Sequence, residues 1–124
     1  MNEKVTTGLR IVFALFVLVF GLNKFLGFIS FPPMEGDGQT LMNIYFSSGF
    51  LKIIGVLEII GGISLLLNKY VPMALTFMTA IMFNAFIFHA LHDMAGIGGS
   101  VLGMVLSLAL VYAYKDKFGG LFSA

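Results

Sequence analysis

The sequence predicts an all-α fold, a membrane-spanning antiparallel four-helix bundle. Of its 124 residues, 59% are hydrophobic and only 10% are charged. A soluble domain usually has about a quarter of its residues charged, so these charges are too few to cover a globule in water. The apolar residues also gather into four stretches, each close to the roughly 20 residues that cross a bilayer as a helix.

The four predicted spans are residues 9–28, 50–67, 71–91 and 97–114. Short links follow the second and third spans and make their helices antiparallel neighbours. Pro72 stands where proline favours the start of a helix. We expect residues 1–124 to form a single integral membrane domain. We also expect the first span to be retained, because it is long and no A-x-A-like cleavage site follows it.

The long link, residues 29–49, holds "FPP" and then an acidic, glycine-containing tip. Phe31-Pro32-Pro33 is expected to end the first helix. The apolar residues from Leu41 to Phe46 then recur at roughly helical spacing. One interpretation is a short interfacial helix over the outer mouth of the bundle, and the other is a partly ordered loop.

Charge and cysteine content narrow the classes of function. The net charge of +1 gives no electrostatic reason to bind nucleic acid. The sequence has no cysteine, which removes disulfides, thiolate metal sites and thiol chemistry. Any redox role therefore needs a bound cofactor or a partner. Five Lys and Arg residues flank the spans on the side of the termini and two on the other, which predicts cytoplasmic termini: Lys4, Arg10, Lys69, Lys115 and Lys117 against Lys24 and Lys52.

Glu58 is the deepest ionisable residue of the predicted spans. Lys52, Gly55, Glu58 and Gly62 lie within an arc of about 120° on the second helix. The glycines let a neighbouring helix approach closely, so this face is expected to point into the bundle. A glutamate there is either protonated or paired with a cation, and Lys52 and Lys24 are the candidates. Lys24 alternatively extends to the lipid headgroups or to an anionic ligand.

The stretch "FNAFIFHALHD", residues 83–93, places polar residues at the end of the third span. His89 is about 60° from His92 and about 40° from Asp93 on a helix, with Asn84 deeper. Two imidazoles and a carboxylate are ligands that a metal accepts, but a lone HxxH is a weak pattern and we expect neither metal nor haem. The plain alternative is a helix end that meets water. It explains His92 and Asp93 better than Asn84 and His89.

These polar residues share the outer half of the predicted bundle. The asymmetry predicts a polar pocket that opens outward, with Glu58 as its floor and residues 29–49 as its roof. Its predicted ligand-binding residues are Asn23, Lys24, Lys52, Glu58, Asn84, His89, His92 and Asp93.

The pieces "GLNKF", "LEIIGGISLLL" and "FNAFIFHALHD", with "FPP" and "YAYKDKF", resemble the DoxX family of small bacterial membrane proteins. The resemblance implies a four-helix fold in a bacterial inner membrane. It also implies links to quinone-coupled oxidases, to oxidative-stress enzymes or to the assembly of membrane proteins. Asn23, Lys24, Glu58, Asn84 and His89 match motif positions of the family, which carry no assigned roles.

Three functions remain open. The first is an accessory subunit of a redox or oxidative-stress system that binds a quinone-like or lipid-like ligand, with Lys24 and His89 at its polar oxygens and Glu58 handling a proton. The second is a non-enzymatic scaffold or assembly factor whose buried polar residues are structural. The third and least favoured is a transporter or channel. Membrane lipid, a membrane or peripheral protein and a second copy of the chain are the expected partners. The sequence does not decide whether any reaction is catalysed.

Overall fold

The computed structural model describes residues 2–122, which are mostly helical. The helices are α1 (Glu3–Leu26), α2 (Gly36–Ser47), α3 (Phe50–Leu67), α4 (Val71–His92) and α5 (Ile97–Ala113). Short 3₁₀ segments, Met94–Gly96 and Lys115–Phe122, precede and follow α5.

Four of these elements are long and apolar enough to cross a membrane, judged by length and composition. They are α1, α3, α4 and the continuous segment Met94–Ala113 that contains α5. They pack together without strands in the described part of the chain, which confirms the predicted all-α four-helix bundle. Pro72 lies in the first turn of α4, as predicted.

The bounds of α1 differ from the predicted first span because local capping sets both ends. The helix begins at Glu3, where the Asn2 side chain accepts a hydrogen bond of 2.7 Å from the Lys4 amide. It ends at Leu26, because Gly27 adopts a left-handed conformation with φ of 64°. The expectation that Phe31-Pro32-Pro33 ends the helix was wrong, since these residues follow the glycine cap in non-helical chain.

The link between α1 and α3 contains the short helix α2, one of the two predicted alternatives. This helix lies at the end of the bundle where α1 ends and α3 begins, here called the α2 end. It packs on α3 and α4. Gly38 is buried against α4, where an added Cβ atom would lie 2.9 Å from the His92 carbonyl oxygen, so this contact requires a glycine.

The core runs along the centre of the bundle, where the helices contact one another in the order α1, α3, α4, α5 and back to α1. The contact between α1 and α3 is the most extensive. The buried apolar side chains come from all four long helices: Phe13, Ala14, Val17, Leu65, Val71, Ala74, Leu75, Met78, Met82, Leu106 and Leu110.

The outer faces of the same helices carry large apolar side chains, among them Val12, Ile53, Ile60, Phe77 and Val105, all exposed. In water such a surface would be a strong aggregation liability. Contact with membrane lipid removes that cost, so the distribution of apolar side chains fits a protein embedded in a bilayer.

Candidate functional site

Glu58 and Lys24 form an ion pair between the middle of α3 and the last turn of α1. The distance from Lys24 Nζ to Glu58 Oε1 is 2.5 Å, and the two side chains are 20% and 2% exposed. Lys24 Nζ also lies 3.4 Å from the Phe20 carbonyl oxygen, to which it donates. Of the two cations that the sequence offered, Lys24 is therefore the partner of Glu58.

Two glycines bring α1 and α3 close enough for this pair. A Cβ atom on Gly21 would lie 2.9 Å from Glu58 Cβ and 3.1 Å from the Gly55 carbonyl oxygen. A Cβ atom on Gly55 would lie 3.2 Å from Lys24 Cβ. The ion pair thus stands beside a helix contact that tolerates no side chain on either glycine.

Asn23 and Lys52 also lie at the α2 end, but neither contacts Glu58. The Asn23 side chain binds the chain after α1: its Oδ1 accepts from the Ile29 amide at 2.7 Å, and its Nδ2 donates to the Ile29 carbonyl oxygen at 3.2 Å. Lys52 is exposed and has no ion pair within residues 2–122. The eight predicted residues therefore do not form one cluster.

The end of α4 brings His89 and Asp93 together. His89 Nδ1 lies 3.0 Å from Asp93 Oδ2, and these side chains are 22% and 18% exposed. Asp93 is the C-cap of α4, so its backbone leaves the helix while its side chain returns to the imidazole. Gly96 fits against both groups, since a Cβ atom there would lie 3.0 Å from His89 Nδ1. A carboxylate on Nδ1 favours the tautomer with its proton on that nitrogen and leaves Nε2 as an acceptor.

A connected row of aromatic rings from α2, α3 and α4 reaches this imidazole through Phe88. The ring centroids of Tyr45 and Phe50 are 5.3 Å apart, and those of Tyr45 and Phe88 are 6.3 Å apart. Phe88 meets the His89 ring edge-on at 5.4 Å and the His92 ring at 5.7 Å. We call Tyr45, Phe50, Phe88, His89 and His92 the aromatic cluster. Such a cluster combines flat apolar faces with one polar imidazole–carboxylate pair.

Asn84 is on a different face of α4 from the core. The buried residues Met78 and Met82 face the core, whereas Asn84 is exposed. Its Nδ2 donates to the Ala80 carbonyl oxygen, one turn earlier, at 2.8 Å. The structure thus separates Asn84 from Glu58 and from the His89–Asp93 pair.

Comparison with known families assigns this four-helix arrangement. The sequence matches the DoxX-like family over residues 8–113. The chain belongs to the DoxX-like family. The matched region contains all four long helices' apolar centres and every predicted site residue. Comparisons with curated proteins and with solved structures gave no match.

Family membership and the four apolar helices together make this DoxX-like chain a multi-pass integral membrane protein. The polar and charged groups described above therefore lie in or beside a medium that solvates them poorly. Under those conditions a pair such as Lys24 and Glu58 is far less costly than either charge alone.

The DoxX-like bundle also has an apolar groove of about 720 Å³ between α4 and α5. Its lining includes Thr79, Phe83, Phe86, Val101 and Met104. None of the eight predicted ligand-binding residues lines this groove. Within residues 2–122, no three His, Asp or Glu side chains converge in a way that suits a metal ion.

Arg10 of this DoxX-like chain contributed to the predicted orientation only as a positive charge. In the structure it joins α1 to the end of α3. Arg10 is 8% exposed, and its guanidinium donates to the Leu65 and Leu66 carbonyl oxygens at the end of α3. Helix α3 has no basic residue in its own last turn, so Arg10 supplies the cation that the negative end of the helix dipole favours. Two features of the sequence hint at this contact. Arg10 lies seven residues after the start of α1, and α3 ends without a basic residue in its last turn.

Proposed function

We propose that this DoxX-like protein is an accessory subunit of a redox or oxidative-stress system, and that its α2 end binds the head group of a quinone-like molecule. The observation that carries this proposal is the hydrogen-bonding distance of 3.0 Å between His89 and Asp93 inside the aromatic cluster. A quinone head group is a flat ring with carbonyl oxygens. It requires both apolar faces and a polar group that exchanges a proton.

The imidazole and carboxylate supply the polar half of this recognition. Asp93 orients the His89 ring through Nδ1, as a carboxylate does beside a working histidine. Nε2 is then the nitrogen that meets the ligand. When it carries a proton it donates a hydrogen bond to a carbonyl oxygen, and when it does not it accepts the proton that accompanies electron transfer. Electrons come from a partner protein, because this chain has no cysteine and binds no thiolate-held centre.

Aromatic side chains supply the apolar half. Tyr45, Phe50 and Phe88 come from three different helices and meet at the α2 end. Rings of this kind favour stacked or edge-on contacts with another ring. Helix α2 brings Tyr45 to this cluster and packs Gly38 on His92.

In this proposal Lys24 and Glu58 hold α1 against α3 and do not contact the ligand. Each satisfies the other at 2.5 Å, and Glu58 is buried. The proposal also places both termini in the cytoplasm of a bacterium. Arg10 and Lys24 bind other groups of the bundle and are left out of the count. The end with the termini then has four lysines and the α2 end has one: Lys4, Lys69, Lys115 and Lys117 against Lys52. That excess supports the orientation.

One observation also favours a second function, a scaffold or assembly factor without a ligand. The most buried charged side chain, Glu58, is satisfied within the chain, and Asn23 binds its own backbone. Polar residues used in this way fix helix register and need no ligand. The two functions differ in what His89 does.

The test is the binding of decylubiquinone to the protein in lipid nanodiscs, measured for the wild type, His89→Leu, Asp93→Asn and the control Lys69→Gln. We expect saturable binding that is weakened about tenfold by His89→Leu, the loss of one good hydrogen bond, and less by Asp93→Asn. Lys69 is exposed at the opposite end of the bundle, so its replacement is expected to leave the dissociation constant unchanged. Absence of saturable binding, or equal binding by His89→Leu, would reject the quinone proposal and favour the scaffold.

A further inference from the structure

Asn84 is an exposed polar residue at membrane depth. It is the fourteenth residue of α4, counted from Val71, and lies about 12 Å along the helix from the His92 end at about 1.5 Å per residue. The side chain is exposed, and its neighbours on that face are the exposed residues Phe77, Ala80 and Ile87. These surroundings are those of a lipid-facing surface.

The amide of Asn84 is only partly satisfied within its own chain. Its Nδ2 donates one hydrogen to the Ala80 carbonyl oxygen. No donor among residues 2–122 binds its Oδ1, and its second amide hydrogen has no acceptor there. An amide has two donors and an acceptor to satisfy, and acyl chains offer it nothing. A partner with both a donor and an acceptor at this depth would complete the group.

The residues around Asn84 have the spacing of a helix-packing seam. Exposed side chains recur at intervals of four, three, four, three and four residues, the alternation that a heptad repeat has. We call this set the α4 seam: Met73, Phe77, Ala80, Asn84, Ile87 and Leu91. Helices that pack with a small left-handed crossing angle use this repeat, and a single Asn in such a seam fixes register. Ala80, beside Asn84, leaves room for close approach.

We propose that the α4 seam is the interface of a symmetric homodimer in which Asn84 pairs with the partner's Asn84. Copies of one chain insert in the same orientation, so each residue meets its equivalent at the same depth across a two-fold axis. An amide is self-complementary: the free Nδ2 hydrogen of each copy donates to the Oδ1 of the other. Two hydrogen bonds form, and no group that the chain lacks is required.

The α4 seam and the aromatic cluster share no residue. The homodimer therefore does not depend on the proposed ligand, and either proposal can fail alone. A different protein on the seam would have to bring its own donor and acceptor to the depth of Asn84. Dimerisation experiments separate that outcome from the homodimer.

The first experiment is disulfide cross-linking in native membranes. The chain has no cysteine, so single replacements need no modified background. Ala80→Cys and Ile87→Cys flank Asn84 on the seam, whereas Ile60→Cys on α3 and Val105→Cys on α5 are matched exposed controls. We expect cross-linked dimers from the two seam variants and none above background from the controls. Cross-links that favour α3 or α5, or no cross-link at any site, would overturn the proposal.

The second experiment measures the monomer–dimer equilibrium by Förster transfer between labelled copies in liposomes of varied protein density. Asn84→Leu is expected to weaken dimerisation about tenfold, which equals about 1.4 kcal/mol and lies within the range for hydrogen bonds between membrane helices. Asn84→Gln, which keeps the amide, is expected to retain most of the affinity. Thermal unfolding of both variants checks that the monomer still folds. Leucine is expected to leave its fold intact, because position 84 is exposed and faces lipid. Unchanged dimerisation of Asn84→Leu would refute the amide pair.

Discussion

Replacing Lys24 by methionine removes the cation that contacts Glu58. The effect on stability follows from the burial of the two side chains. Glu58 is 2% exposed and Lys24 is 20% exposed. Breaking a buried pair from one side typically costs about 3–5 kcal/mol, because a buried charge loses its compensation. We expect Lys24→Met to cost about 3 kcal/mol. Glu58→Leu should cost less, about 1–2 kcal/mol, since the flexible and partly exposed Lys24 can turn to the headgroups.

The double variant is the sharper test. Removing both charges leaves an apolar contact of similar volume, which is often neutral, so Lys24→Met with Glu58→Leu should lie within about 1 kcal/mol of the wild type. The two single changes sum to about 4–5 kcal/mol, so their coupling in a double-mutant cycle should be at least about 3 kcal/mol. The assay is reversible unfolding in mixed micelles of dodecylmaltoside and sodium dodecyl sulfate, followed by helical circular dichroism.

Lys52→Met is the matched control, since Lys52 lies near the same end but is exposed and has no ion pair within the described residues. It should change the free energy of unfolding by less than about 0.5 kcal/mol. Additive effects of Lys24→Met and Glu58→Leu would refute the reasoning, because they would mean that the pair contributes no coupling to the fold.

Two further predictions use the same unfolding assay. Gly55→Ala should cost about 1–3 kcal/mol, since its Cβ atom would lie 2.9 Å from the Phe25 ring. Gly98→Ala, with no atom within 4 Å, should be neutral or mildly stabilising. Similar effects at both sites would contradict the close helix contact. Arg10→Met should cost about 1–3 kcal/mol, because carbonyl oxygens at the end of α3 lose their donor, while Lys4→Met at the exposed start of α1 should have little effect. Equal stability of the two variants would mean that Arg10 does not cap the end of α3.

The fold was predictable because a bilayer restricts what an apolar chain can do. The thickness of the bilayer sets the length of each spanning helix. A short link forces the helix that follows it to run antiparallel to the one before. The predicted bounds 50–67 coincide with α3, and the prediction for α4 differs by one residue. The start of α1 was missed because a cap on Asn2 and the polar residues after it extend the helix beyond its apolar part. A hydropathy profile does not show the polar first turns of α1.

The site was less predictable because it depends on how helices meet. The wheel of α3 placed Glu58 and Gly55 on one inward face, and the structure has both buried there. Choosing Lys24 over Lys52 required the register of α1 against α3, which the Gly21–Gly55 contact fixes. A helical wheel of α4 does not show which of its sides faces the core. Met78 and Met82 take the core side and leave Asn84 exposed.

The order of the helices gives the Lys24–Glu58 pair a consequence for biogenesis. Helix α1 is synthesised before α3, and these two helices make the most extensive contact in the bundle. A lone charged side chain at the centre of a span opposes insertion by several kcal/mol. Here the neutralising lysine has already been synthesised and lies one hairpin away. The chain can therefore enter the bilayer as a charge-neutral hairpin before α4 and α5 exist, and these later helices meet an apolar surface already in place.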